Sequence, residues 1–201
     1  MKKATILLAL LVACFAGANA QEAFTPSWSA GFDVQGALPM GDFKDISDFG
    51  VGGTGYVAYS VAPQVAITGR AGYIYFGGKE LSFSDATGSG TIKWKYGMIP
   101  ILAGVKIFFT ESDSRVYVAG EAGLYILSLS GDVTITSGSS SFSGSGSDTE
   151  TKFGVSPSLG AQFKAGDNIV VDAHANFSNV FTENSSTNWI TFAIGFEWML
   201  N

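Results

Sequence analysis

Asp172 and His174 stand two residues apart in the run Ile169-Val-Val-Asp-Ala-His-Ala-Asn-Phe177. In an extended chain both side chains therefore leave the same face. Ser156 and Ser158 share that parity in the preceding extended run. A hydroxyl, an imidazole and a carboxylate on one surface are the ingredients of nucleophilic hydrolysis, in which the imidazole takes the hydroxyl proton and the carboxylate orients the imidazole. That chemistry needs serial hydrogen-bond contact, which parity alone does not supply. The competing reading is charge neutralisation: Asp33, Arg70, Lys106, Glu121 and Glu197 also sit opposite bulky apolar side chains. Both signs occur in this set, so the expected role of all seven ionisable residues is mutual pairing. No residue is assigned to catalysis.

Other chemistries lack their residues. The chain has one histidine and one cysteine, so neither a metal site nor a cofactor is expected. Its glycines space extended runs and do not open helices, which removes the phosphate-cradling reading.

The elements that must position these groups are clearest at the last run. From Ile190 to Leu200, Ile190, Phe192, Ile194, Phe196, Trp198 and Leu200 share one face, and Thr191, Ala193, Gly195, Glu197 and Met199 the other. Period two without a break is a strand with two unlike faces. A bulky apolar face backed by a small or charged one suits a wall between lipid and a narrow polar interior.

Eight such segments are expected: 27–38, 51–61, 65–76, 91–109, 115–129, 150–164, 168–181 and 189–200. Short connections at 62–64, 110–114 and 165–167 alternate with longer ones at 39–50, 77–90, 130–149 and 182–188. An up-and-down barrel with an even strand count shows this alternation, with tight periplasmic turns and longer outer loops. About 10 residues suffice for a strand to cross, so the surplus in the fourth and fifth segments is expected to project beyond the membrane.

Strand charges sort the same way. Asp33 opposes Trp28, Phe32 and Val34; Arg70 opposes Val65, Ile67, Tyr73 and Tyr75. Lys152 and Lys164 oppose Phe153, Val155, Leu159 and Phe163; Asp172 and His174 oppose Ile169, Val171 and Phe177. A basic residue on the lipid face near the midplane would cost roughly 2–4 kcal/mol. A soluble barrel would sort charges onto a wet exterior and carry more of them. The second segment is too glycine-rich for its faces to be assigned. In the fourth, Ile92, Trp94 and Tyr96 share one parity and Ile101, Val105, Ile107 and Phe109 the other, which predicts a β-bulge at or beside Pro100.

Met1-Lys2-Lys3, an apolar run, and Ala18-Asn19-Ala20 before Gln21 form a cleaved secretory signal over residues 1–20. Leu11-Val12-Ala13-Cys14 also resembles a lipoprotein signal in which Cys14 would be lipidated. The barrel domain is placed at 21–201. Without Lys2 and Lys3, 9 of the 11 basic residues remain against 17 acidic ones, a net charge of about −8. An acidic chain without a basic stripe is a poor nucleic-acid binder.

Ile99-Pro-Ile-Leu-Ala-Gly-Val-Lys-Ile-Phe-Phe109, followed by Val116-Tyr-Val-Ala-Gly-Glu-Ala-Gly-Leu-Tyr125, resembles a hairpin of the small eight-stranded outer-membrane β-barrel family, of the OmpA, OmpX and opacity type. The resemblance extends over 21–201. It implies an all-β, eight-stranded antiparallel up-and-down transmembrane barrel in the outer membrane of a Gram-negative-type envelope. Gly195, Trp198 and Leu200 resemble the carboxy-terminal signal read by the barrel-insertion machinery, although the family commonly ends on an aromatic residue and this chain ends Leu200-Asn201.

An eight-stranded barrel is just wide enough for side chains to fill. Asp33, Arg70, Lys106, Glu121, Asp172, His174 and Glu197 are therefore expected to plug the lumen, with Arg70 central and Glu121 or Glu197 its partners. The role is then structural or exercised through four extracellular loops. The serine- and glycine-rich stretch 137–147 is expected to be a mobile tip. A narrow porin-like pore and a lipid-modifying hydrolase are the alternatives. Expected partners are outer-membrane lipid, the insertion machinery and an extracellular ligand or host surface, with the barrel a monomer that binds no nucleic acid.

Overall fold

A computed structural model describes residues 24–84, 89–110, 112–137, 140–182 and 186–200. The expected signal segment, with Cys14, lies outside the described residues, as does Asn201. Eight antiparallel strands close on themselves in sequence order: β1 (Ser27–Met40), β2 (Ser47–Ala62), β3 (Val65–Ser84), β4 (Ser89–Phe108), β5 (Ser114–Ser137), β6 (Ser140–Lys164), β7 (Ile169–Phe181) and β8 (Ser186–Leu200). The ring is sealed by β1 on β8, in register from Trp28↔Leu200 to Met40↔Asn188. One short helix, α1 (Phe43–Ile46), lies between β1 and β2.

Alternation governs every wall strand. Phe32, Val34, Val57, Ile67, Ile101, Leu124, Leu159, Phe192 and Ile194 are exposed on the outside, whereas Asp33, Thr54, Thr68, Lys106, Glu121, Asp172 and Glu197 are buried inside. This inversion is stable only where the outside solvent is lipid. β2, unassigned from sequence, turns Thr54, Tyr56 and Ala58 inward and Val51 and Val57 outward.

The expected bulge at Pro100 is absent. The β4–β5 register runs unshifted from Ser89↔Thr136 to Phe108↔Tyr117, and the β3–β4 irregularity falls between Gly77 and Glu80. Bulk changes sides along β4 while parity does not. Tyr96 and Met98 face inward into an apolar cluster at one mouth, and Ile99 and Ile101 face outward. Two apolar environments, lipid outside and a cluster inside, produce the signal that a bulge would have given.

Strands also run further than expected. β5 and β6 are 24 and 25 residues long, roughly twice the 10 or so needed to cross. The serine- and glycine-rich stretch is strand in its described part, with Asp132↔Ser145 and Ile135↔Phe142 in one ladder. Composition argued for a mobile tip, but the alternation Ser141-Phe-Ser-Gly-Ser-Gly-Ser147 places serines on one face and Phe142 on the other, which continues the β5 pattern. Together with β3 and β4 it makes a four-stranded sheet standing beyond the long-connection mouth.

Candidate functional site: the barrel lumen and its mouth

The lumen is built in layers. At the long-connection mouth, Gly41 takes a left-handed φ of 57°, and the chain turns back so that α1 sets Phe43 into the opening. Its ring lies 5.1 Å from Phe76, 5.5 Å from Tyr96 and 6.5 Å from Trp189. Trp189 in turn meets Tyr125 edge-on at 5.5 Å. These rings, with Ile74, Met98, Leu102 and Val180, form one buried cluster, and edge-to-face contacts of this kind add about 0.5–1.5 kcal/mol per pair beyond burial.

Below the rings lies a polar cavity of about 20 Å³ lined by Gln35, Thr54, Arg70, Glu121, Ser156 and His174, among others. That volume holds roughly one water molecule. It is too small for a hydrated ion.

Two ion-pair groups follow. In the first, Arg70 Nη1 lies 2.6 Å from Asp33 Oδ2 and Arg70 Nε lies 3.1 Å from Glu121 Oε2. Thr54 and Thr68 hydroxyls donate to Asp33 and Glu121 at 2.8 and 3.0 Å. The guanidinium also stands 5.0 Å over the Tyr56 ring. In the second, Lys106 Nζ lies 3.3 Å from Asp172 Oδ2 and 3.6 Å from Glu197 Oε2. Gln162 Nε2 donates to both of these carboxylates, at 3.0 and 2.6 Å. Ser29 and Tyr56 hydroxyls donate to Glu197 at 2.6 and 3.2 Å, and Tyr117 donates to Asp172 at 2.8 Å.

All seven ionisable residues singled out from sequence thus face the lumen, and Arg70 takes Glu121 but not Glu197, whose cation is Lys106 instead. Sequence reasoning missed Tyr56, Tyr117, Gln162 and Ser29. One signal for the tyrosines existed, in the inward glycines on neighbouring strands. A Cβ at Gly31 would stand 2.6 Å from the Tyr56 ring, and one at Gly160 2.5 Å from the Tyr117 ring, so each ring reaches its carboxylate by lying across a glycine.

His174 Nδ1 lies 2.8 Å from Asp172 Oδ1, which is half of a hydrolytic relay. The other half is occupied elsewhere: Ser156 Oγ takes a hydrogen bond from Asn176 Nδ2 at 2.9 Å and lies 3.2 Å from Ser178 Oγ. Ser156 is buried, with the aromatic rings closing one approach. Among the described residues no cluster of His, Cys, Asp and Glu is disposed to hold a metal ion.

The short-turn mouth is an open recess of about 640 Å³ lined by Pro63, Arg115, Lys164, Asp167 and Met199. Arg115, one of its lining residues, donates from Nη2 to Gln162 Oε1 at 2.8 Å. On the projecting sheet at the other end, Glu80 pairs with Lys93 and Lys95 with Asp132, both at 2.9 Å. The Lys93 hydrogen bond holds the Glu80 carboxyl below its usual value, and Asp132 holds the Lys95 ammonium above its own.

Gly195, Trp198 and Leu200 lie where β8 joins β1. A Cβ at Gly195 would overlap the Phe32 carbonyl oxygen, so β8 approaches β1 closely there. Trp198 and Leu200 face lipid, with Trp198 stacked on Phe32 at 5.8 Å.

The chain is similar to several solved structures. Neisserial surface protein A aligns with a TM-score of 0.55 at 14% identity, over 87% of this chain and 99% of that one. The attachment invasion locus protein Ail of Yersinia pestis aligns at 0.42 and 17% identity, over 87% and 97%. OprG of Pseudomonas aeruginosa aligns at 0.44 and 12% identity, over 88% and 95%. A comparison with curated proteins finds no match. The family profile described as "Outer membrane protein beta-barrel domain" matches residues 6–199, and with eight strands, a lipid-facing exterior and a polar core already in place, the chain belongs to that family and resides in the outer membrane.

Proposed function

We propose that this is a closed barrel that does not conduct and is not an enzyme, and that acts at its outward end. What supports this reading is the packing of side chains through the lumen. Aromatic rings, a cavity of about 20 Å³ and two ion-pair groups succeed one another from mouth to mouth. A porin-like path would need a string of solvated charges, whereas Asp33, Lys106, Asp172 and Glu197 are each at most 4% exposed and engaged by one another or by hydroxyl and amide donors.

Short turns at the end with both termini and long hairpins at the other match the periplasmic and extracellular sides of barrels inserted from within. The four outward connections, one of them carrying α1, then present the surface that meets an extracellular ligand or a host surface. Outer-membrane lipid surrounds the wall of a monomer, and Gly195, Trp198 and Leu200 supply the recognition strand for the insertion machinery.

Osmotic swelling tests the plug. Vesicles containing the refolded, heat-modifiable barrel are expected to shrink and stay shrunken in hypertonic arabinose or glycine, like protein-free vesicles. Swelling that scales with barrel content would reject it.

A further inference from the structure

The projecting sheet is amphipathic and has one unprotected side. Beyond the membrane, Leu81 and Phe83 of β3 pair with Ile92 and Gly90 of β4. Those pair in turn with Val133 and Ile135 of β5, and these with Gly144 and Phe142 of β6. Cross-strand partners share a face, so Leu81, Phe83, Ile92, Val133, Ile135 and Phe142 form one apolar surface. Leu81, Phe83, Ile135 and Phe142 are exposed, Phe142 at 69%. The opposite face carries Thr91, Thr134, Ser143 and Ser145 with the Glu80–Lys93 pair.

The two edges of this sheet differ. On β3, pairing with β2 ends at Ser47↔Gly78, and the edge that follows carries the Gly77–Glu80 irregularity, Lys79 and Glu80, which are the usual protections against added strands. On β6, pairing with β7 begins only at Gly154↔Val180. From Ser141 to Asp148 the far side of β6 faces no described strand, and every residue there is exposed. This edge has no proline, no lysine and no bulge opposite β5.

Its side chains leave space. A Cβ at Gly146 would meet nothing within 4 Å, and one at Gly144 only the Phe142 ring at 3.7 Å. Next to them an apolar-walled groove of about 370 Å³ is lined by Trp94, Leu129, Val133, Gly146 and Asp148. Asp148 also lines a second hollow of about 300 Å³ with Phe43, Ile46, Tyr96 and Glu150.

We infer that the Ser141–Asp148 edge of β6 receives an extended strand from a partner protein, with alternate apolar side chains seated over Phe142, Gly144 and Gly146 and a lysine or arginine beside Asp148. Three features select this occupant. Unpaired backbone groups demand another extended backbone, the vacant glycine positions admit its side chains, and the carboxylate sets the charge it must carry. The inference rests on the reading of the outward end as the working surface and names the partner chemistry there.

The test uses the complete barrel in lipid nanodiscs. The probe is a synthetic peptide of alternating valine and threonine with a lysine at each end, N-methylated along one edge so that it cannot self-associate. Amide hydrogen exchange is read at residues 141–148. Alternate amides there are expected to slow by about tenfold or more on adding the peptide, to regain their free rates with a peptide N-methylated at every residue, and to be less protected in Asp148→Lys. Unchanged heat-modifiable migration shows that the variant is folded. The inference is overturned by unchanged exchange at about 1 mM peptide, by equal protection from the fully methylated peptide, or by protection that rises with barrel concentration alone, which would make a second copy the occupant. Solute permeability of the barrel does not alter these exchange rates, so the plug and the docking edge fail separately.

Discussion

Arg70 Nη1 and Asp33 Oδ2 meet at 2.6 Å although β3 and β1 are not neighbours in the ring. The contact spans the intervening β2, whose Thr54 hydroxyl touches both side chains at 2.8 Å. Arg70→Met leaves Asp33 and Glu121 buried without their cation, a loss of about 3–5 kcal/mol in unfolding free energy. Adding Asp33→Asn to it is expected to cost less than the two single losses together, with a coupling of about 1–3 kcal/mol by urea titration in lipid vesicles. Additive losses would mean that the pair is incidental.

The second group allows a ranking. Lys106→Met removes the cation shared by Asp172 and Glu197, whereas Tyr56→Phe removes one hydroxyl donor at 3.2 Å from a carboxylate that keeps Ser29 and Gln162. The first is expected to cost about 3–5 kcal/mol and the second about 0.5–1.5 kcal/mol. The reverse order in the same titration would place the stabilisation in the hydroxyl ring instead of the ion pairs.

Phe43 covers Trp189, which is fully buried. In a background where Trp28, Trp94 and Trp198 are phenylalanine, Trp189 fluorescence is expected to resist iodide. Phe43→Ala should admit the quencher and move the emission to longer wavelength. An emission indifferent to Phe43→Ala would show that α1 does not seal the mouth.

The half-relay of Asp172 and His174 has its own check. Purified barrel incubated with phospholipid or lipopolysaccharide is expected to release no fatty acid. Release that disappears in both His174→Ala and Ser156→Ala would establish the hydrolase instead.

Much of this architecture is legible without coordinates, because a bilayer punishes a misplaced charge and so writes period two into each wall strand. Asp33, Arg70, Asp172 and Glu197 follow directly from that rule. What is lost is whatever the bilayer does not police. Trp94 and Tyr96 lie on the inner face of a strand leaving the membrane, where bulk no longer marks lipid, and they mimic a bulge at Pro100. Serines 141, 143, 145 and 147 have the composition of a tip, yet they are the polar face of a sheet whose apolar face continues the register of β5. The partner of Glu197 could not be read either, since parity gives the face of a residue but not its height on a tilted strand.

The claim that the lumen is filled is tested most directly by single-channel recording across a planar bilayer, comparing the natural barrel with Arg70→Met combined with Phe43→Ala. The natural barrel is expected to give no reproducible steps over a range of salt and voltage, and the doubly opened variant, if folded by heat-modifiable migration, to conduct. Stable conductance from the natural barrel, unchanged by the two substitutions, would contradict the account.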